Sequence, residues 1–375
     1  MGTLMTGQTT AAKSFRDNIR SYNSALSFAS MGARIEVPEG HGPYVYKIHG
    51  TIHHLTSNMH PENGRRSFPQ MYVLDSSIAA EERMQISANR NCSALVMKNL
   101  DEEIRQINPF AGAFKMMNEY EDQIKHTYGS EAACSVRMYI QDTKPNAEQH
   151  SARYNAPRAN EIAIVFASSD GAPPSNRDIC IHPKGKSLIN IHQLNPNCDP
   201  MSYVLLFPHG DKGWTTTDRT KYSQLQFYSF RLSVREEFSP IFYAGKLLQQ
   251  YIVDAYVKVE SSRLDYLRNN QKDLRVESYL GLMDHVHSLA AEAGVQAGVP
   301  VILPSTFIGS PRAMQQNFQD AMTIVREYGK PSLFITFTCN PKWPEIKSNL
   351  LPGQHGNNRP DIVARVFDRK KKNYC

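Results

Sequence analysis

No stretch of this 375-residue sequence approaches the ~20 consecutive apolar residues of a membrane-spanning helix. The segment from Met1 to Lys13 has no basic charge followed by an apolar run, so no secretory leader is expected. The six cysteines stand at 92, 134, 180, 198, 339 and 375, and no two form a C-x-x-C pair. That spacing excludes the common zinc and dithiol motifs, and the thiols are expected to be reduced. The phosphate loop G-x-x-x-x-G-K-[ST], the turn G-x-G-x-x-G and the elbow G-x-S-x-G are all absent. No nucleotide-driven motor, dinucleotide enzyme or serine-hydrolase elbow is therefore visible. There is no internal repeat and no low-complexity tract.

The composition is that of a globular protein, with 41% hydrophobic and 21% charged residues. At roughly 150 residues per domain, the length suggests two or three domains. Lys and Arg number 42 against 36 Asp and Glu, giving a net charge of +6. A basic balance is compatible with nucleic-acid binding without requiring it.

Hydrophobic spacing divides the chain. Residues 1–42 read as a polar, mildly helical arm, with Phe15, Ile19, Tyr22, Leu26 and Phe28 as its apolar positions. Residues 43–210 read as a mainly β module with a helical insertion. Its expected strands are Tyr44–Ile48, Met71–Leu74, Ser135–Ile140, Glu161–Phe166 and Asp178–Ile181. Residues 76–127 form the insertion, broken at Asn108-Pro109 because proline disfavours helix in the residue before it. Residues 211–225 are a connector, and 226–375 a helical region. There Leu247, Leu248, Tyr251, Ile252, Ala255, Tyr256 and Val259 share one helical face. A second helix carries Leu274, Leu282, Met283, Val286 and Leu289. A third starts at Ser310-Pro311 and stops at Gly329, with Met314, Phe318, Ala321, Met322 and Val325 as its buried face. Leu333–Thr338 reads as a strand, and a last short helix begins near Asp361. The fold class is thus mixed α+β.

Histidine patterns invite a metal reading. His285-Val286-His287 spells a His-hydrophobe-His pair, which needs both rings on one side of the chain. The flanking spacing is helical, where positions two apart diverge by roughly 200°. The pair therefore reads as surface histidines. His49, His53 and His54 are dense but lack cysteine or other ligands nearby, so they read as polar strand residues. Cys339 follows a strand and has no placed base, so a buried or strand-end thiol is the expected role. No catalytic residue and no metal ligand is assigned. The basic residues Arg231, Arg235, Arg263, Arg268, Arg275, Arg312 and Lys342 are the candidates for DNA contact. The run Arg369 to Lys372 reads equally as a phosphate contact or as a solvated helix face.

Longer words say more. Gln249-Gln250-Tyr251-Ile252-Val253-Asp254-Ala255-Tyr256, Val301-Ile302-Leu303-Pro304-Ser305 and Gly309-Ser310-Pro311-Arg312-Ala313-Met314 resemble the Helitron helicase-like N-terminal domain. So do Phe334-Ile335-Thr336-Phe337-Thr338-Cys339-Asn340-Pro341-Lys342-Trp343-Pro344 and Asn358-Arg359-Pro360-Asp361-Ile362-Val363. Upstream, Phe15–Asn23 and Tyr203–Gly210 are similar to the same rolling-circle transposases. The resemblance implies a lineage that nicks DNA with a tyrosine and a divalent metal, then unwinds it with an ATP-driven helicase. It also implies that Phe334–Thr338 is the first strand of an incomplete His-hydrophobe-His (HUH) nuclease-like α/β domain. In the family the metal-binding histidines and nucleophilic tyrosines follow the Arg-Pro-Asp segment, so neither His285 and His287 nor Tyr374 takes those roles. The expectation is a truncated, catalytically inactive transposase fragment, needing neither metal nor ATP, with residual binding to single-stranded DNA in the nucleus. A domesticated DNA- or protein-binding module is the alternative. An unpaired first strand would leave an apolar edge exposed.

Overall fold

A computed structural model describes residues 1–36, 46–61, 66–140, 163–167, 179–183, 188–216, 221–271, 303–333 and 335–374. The chain opens with three helices, α1 (Gly2–Thr6), α2 (Thr10–Asp17) and α3 (Ile19–Leu26), then strands β1 (Ser30–Glu36) and β2 (Lys47–Thr56). The helical insertion follows as α4 (Ser76–Met84), α5 (Ala94–Ile107), α6 (Pro109–Tyr128) and α7 (Ser130–Ala133). Next come β3 (Val136–Ile140), β4 (Ala163–Ala167), β5 (Ile179–Ile181), β6 (Ile189–Ile191) and α8 (Cys198–Ser202). The remainder is helical: α9 (Gln224–Arg231), α10 (Pro240–Tyr243), α11 (Lys246–Asn269), α12 (Pro311–Tyr328), α13 (Pro344–Lys347) and α14 (Pro360–Tyr374).

The strands make two three-stranded antiparallel sheets, ordered β1-β2-β6 and β4-β3-β5. The mixed α+β class therefore stands, and among the described residues of 43–210 the long helices fall in the expected insertion while the strands lie on either side of it. Two local expectations change. Ser30–Glu36 is a strand rather than part of a helical arm. Met71–Leu74 is not a strand, because Phe68–Val73 forms a 3-10 helix. Ser67 and Gln70 close a reciprocal cap there, and Pro69 sits in the first turn, where it needs no donor. The expected break at Asn108 is present, its side chain capping α6 through the Phe110 amide at 3.0 Å.

Two compact units divide the chain: Met1–Ala255 with Asn340–Cys375, and Tyr256–Cys339. In the first, Phe28 stacks on Tyr72 at 4.5 Å and lies near Phe110 and Phe114. Beside this cluster, buried Asp101 accepts from Arg83 at 2.7 Å and Arg105 at 2.6 Å. Arg83 also donates to the Ala25 carbonyl, and Arg105 to those of Met71 and Tyr72. Charge is thus matched where burial would otherwise penalise it. A second aromatic group joins Tyr203, Phe207, Tyr228 and Tyr251.

On α11, Leu247, Leu248, Tyr251, Ala255 and Val259 are buried as their spacing predicts, whereas Tyr256 is 50% exposed. In the second unit α12 has the expected ends: Ser310 Oγ accepts from Ala313 N, and Gly329 follows with φ +81°. Its expected buried face is not buried. Met314 is 61% and Phe318 65% exposed, and no residue of α12 is buried. Leu333 and Ile335–Thr338 form no strand, since a strand needs a neighbour to bond and none of the described strands lies beside them. The expected helix through Leu274, Leu282 and Leu289, with His285 and His287, lies outside the described residues, as does Phe334. No helix among the described residues is long and apolar enough to cross a membrane.

Candidate nucleic-acid interface

The loop after α9 and the helix α10 face the segment around Leu351 and the first turns of α14, all within the first unit. Between them lies a cavity of about 450 Å³. Phe242 and Ile362 are buried apolar residues of its lining, joined by Tyr243, Leu351 and Val366. Buried Arg359 forms one wall. Its guanidinium makes a two-pronged pair with the Asp361 carboxylate at 2.9 Å and stacks over Phe242, 4.8 Å from the ring centre. Gln354 Nε2 donates to the Phe242 carbonyl at 3.1 Å and joins the two sides. The turn into α11 requires Gly245: its φ is +52°, and a Cβ there would lie 2.9 Å from the Asn358 amide nitrogen.

Charge lines the mouth. Arg365 donates to the Leu232 carbonyl at 3.0 Å across 133 residues of sequence. Arg235 stacks on Phe230 at 4.1 Å and donates to its carbonyl. Both side chains are exposed, and each retains guanidinium donors beyond the bond described. Glu236 and Glu237 also line the space. Phe238, 51% exposed, packs against Tyr243 at 4.9 Å, and Phe230 is 69% exposed. From Arg365 the helix continues through Arg369, Lys370, Lys371 and Lys372, against Asp361 and Asp368. Lys370 pairs with Glu345 at 2.7 Å and lies 5.0 Å over the Trp343 ring. Both Glu345 and Asp368 are held below the usual carboxylate range by the hydrogen bonds of Lys370 and Lys372, so these charges persist at neutral pH.

The other candidates fall in several places. Arg231 is tied down: it donates to Asp199 at 3.3 Å and to the Lys212 carbonyl at 2.6 Å, between the rings of Phe207 and Phe227. Burial pushes its pKa down, but Tyr251 and Asp199 outweigh burial and raise it, so it stays charged inside a structural cluster. Arg263 and Arg268 are exposed on the second half of α11, with Arg268 paired to Asp265 at 3.2 Å. Arg312 is exposed at the start of α12, and Lys342 is exposed just before α13. Arg275 lies outside the described residues. Of the seven, only Arg235 lines the cavity. Of the family-like positions, Thr336 and Thr338 lie outside the described strands, while Asn340 caps the turn of Pro341 through Lys342 N at 2.9 Å. Trp343 and Pro344 begin α13. Sequence reasoning missed Arg359, Arg365 and Phe242 as partners. The signal for Arg359 and Arg365 was the Helitron-like run from Asn358 to Phe367, and no sequence signal pointed to Phe242.

Cys180 Sγ lies 3.4 Å from His182 Nε2. Burial pushes the thiol up, and burial with Arg137 pushes the imidazole down, so neither carries charge at neutral pH. His54, buried on β2, bonds Asp254 at 3.0 Å, and Tyr203 donates to the same carboxylate oxygen at 2.9 Å. Among the described residues no group of three or more His, Cys, Asp or Glu is placed to hold a metal ion.

No curated protein matches the chain. Residues 227–375, the stretch that supplies every wall of the cavity, match the family model of the Helitron helicase-like domain at N-terminus.

Proposed function

We propose that the chain is a nucleic-acid-binding piece of the rolling-circle transposase lineage, which engages single-stranded DNA in the nucleus and does not nick it. The carrying observation is that the Helitron-matched stretch of 227–375 builds a cavity edged by exposed arginines and aromatics. Arginine suits phosphate, and aromatic rings suit unstacked bases. Arg263, Arg268, Arg312 and Lys342 are further candidate DNA contacts in this reading. Arg275 belongs to the same proposal. No resident metal or ATP is required of this chain; in the full-length family they serve the nuclease and helicase steps. Titration with single-stranded DNA tests the reading. Affinity should fall steeply with salt, since each phosphate contact releases a counterion. Incubation with Mg²⁺ or Mn²⁺ should leave no covalent tyrosyl-DNA adduct, and an adduct lost in His287→Ala would reverse the non-catalytic part.

One observation favours a second reading, a protein-binding module. α12 presents Met314, Phe318, Met322 and Ile324 to solvent at 39% exposure or more. Apolar faces of this kind commonly mark partner surfaces. A DNA-independent complex lost in Phe318→Glu would support it.

A further inference from the structure

The cavity combines an apolar lining of Phe242, Tyr243, Leu351, Ile362 and Val366 with the charged residues Arg235, Glu236, Glu237, Arg359 and Arg365. Arg359 is neutralised by Asp361, so it acts as a stiff, stacked wall rather than an anion trap. Arg235 and Arg365 differ: among the bonds described, each gives hydrogens only to a backbone carbonyl, leaving its charge unneutralised by those bonds. Beyond Arg365, Arg369 and Lys372 follow at four- and three-residue spacing along one side of α14. Phe238, which packs on the lining residue Tyr243, and Phe230, over which Arg235 stacks, are both more than half exposed. A peptide would satisfy the apolar lining, but it would not use a line of cations running away from the mouth.

We propose that this cavity receives one nucleotide of a single strand. The base enters against Phe242 and Tyr243 and stacks beside Phe238, while its phosphate meets Arg365 and Arg235. The next phosphate meets Arg369, one turn further along α14. Glu236 and Glu237 then face the base edge, where a carboxylate accepts from the exocyclic amine of adenine or cytosine. Thymine has no exocyclic amine and only its ring N3–H to give, and it is the disfavoured base. This inference rests on the single-strand reading above and names the subsite within it.

The full chain is titrated with dA12, dC12 and dT12 oligonucleotides, alongside the variants Phe238→Ala, Arg365→Ala, Arg365→Glu and Val234→Trp. All three positions are exposed, so melting temperatures should match the wild type. Loss of the stacking ring should weaken dA12 binding roughly fivefold or more. Arg365→Ala should lower the slope of log affinity against log salt by about one, and Arg365→Glu should weaken binding further. Val234→Trp, which plugs the mouth, should abolish the preference of dA12 over dT12. If the wild type binds these strands and every variant binds equally well, the cavity assignment is overturned and the single-strand reading stands. If the wild type binds none of them at low salt, the single-strand reading fails. A dAMP titration then decides the cavity: a melting rise present in the wild type and absent in Val234→Trp supports it, and no rise overturns it.

Discussion

Asp101 shows how a buried charge becomes structural. Its two oxygens are matched by Arg83 and Arg105, and both arginines also donate to backbone carbonyls of α3 and the 3-10 helix. Asp101→Ala strands two cations, one of them fully buried, and should lower unfolding free energy by about 3–5 kcal/mol. Urea unfolding measures this, and a loss under ~1 kcal/mol would contradict the matched-charge account. Cys92 offers a pH test. Burial pushes its thiol up to about 11, against an ordinary value near 9. The folded state thus favours the protonated thiol, so stability is intact below the unfolded value and drops as pH rises from about 9 through 11. Melting temperature should fall across that window, and Cys92→Ala should shallow the fall. A curve unchanged by the substitution would count against the burial argument. Gly245→Ala, set against a left-handed φ and the Asn358 amide, should cost roughly 1–3 kcal/mol in the same urea assay.

Elements show where sequence patterns inform and where they do not. The start and stop of α12 were legible because capping is local chemistry: Ser310 accepts from an amide three residues on, and Gly329 takes a positive φ. Its burial was not legible. Periodicity reports that a helix has an apolar side, not that anything covers it. The same limit explains Leu333 and Ile335–Thr338, whose β-prone residues belong to none of the described strands. Phe68–Val73 was missed because the cap at Ser67 outweighs the apolar run Met71–Leu74. Phe318→Ser on the exposed face should therefore change stability by no more than about 0.5 kcal/mol. Phe114→Ala, in the ring cluster, should cost about 3–5 kcal/mol. Equal costs at the two positions would contradict the contrast in burial. The cavity itself joins residues near 235 and near 360, and no spacing rule foretells that approach. Only the word near 360 was visible, through its Helitron likeness.

At the scale of the whole molecule, a net charge of +6 says little until its placement is known. Arg231 is spent on an internal ion pair, whereas Arg235 and Arg365 face the mouth of a cavity in the Helitron-type stretch. That separation of structural from available cations is the basis of the proposed role. The most direct measurement is the affinity of the full chain for a single-stranded dodecamer from about 50 to 200 mM salt, spanning the range where counterion release is steep. The account predicts binding that weakens by at least tenfold over that range and a shallower slope in Arg365→Ala. Absence of binding at the lowest salt, or affinity independent of salt, would contradict it.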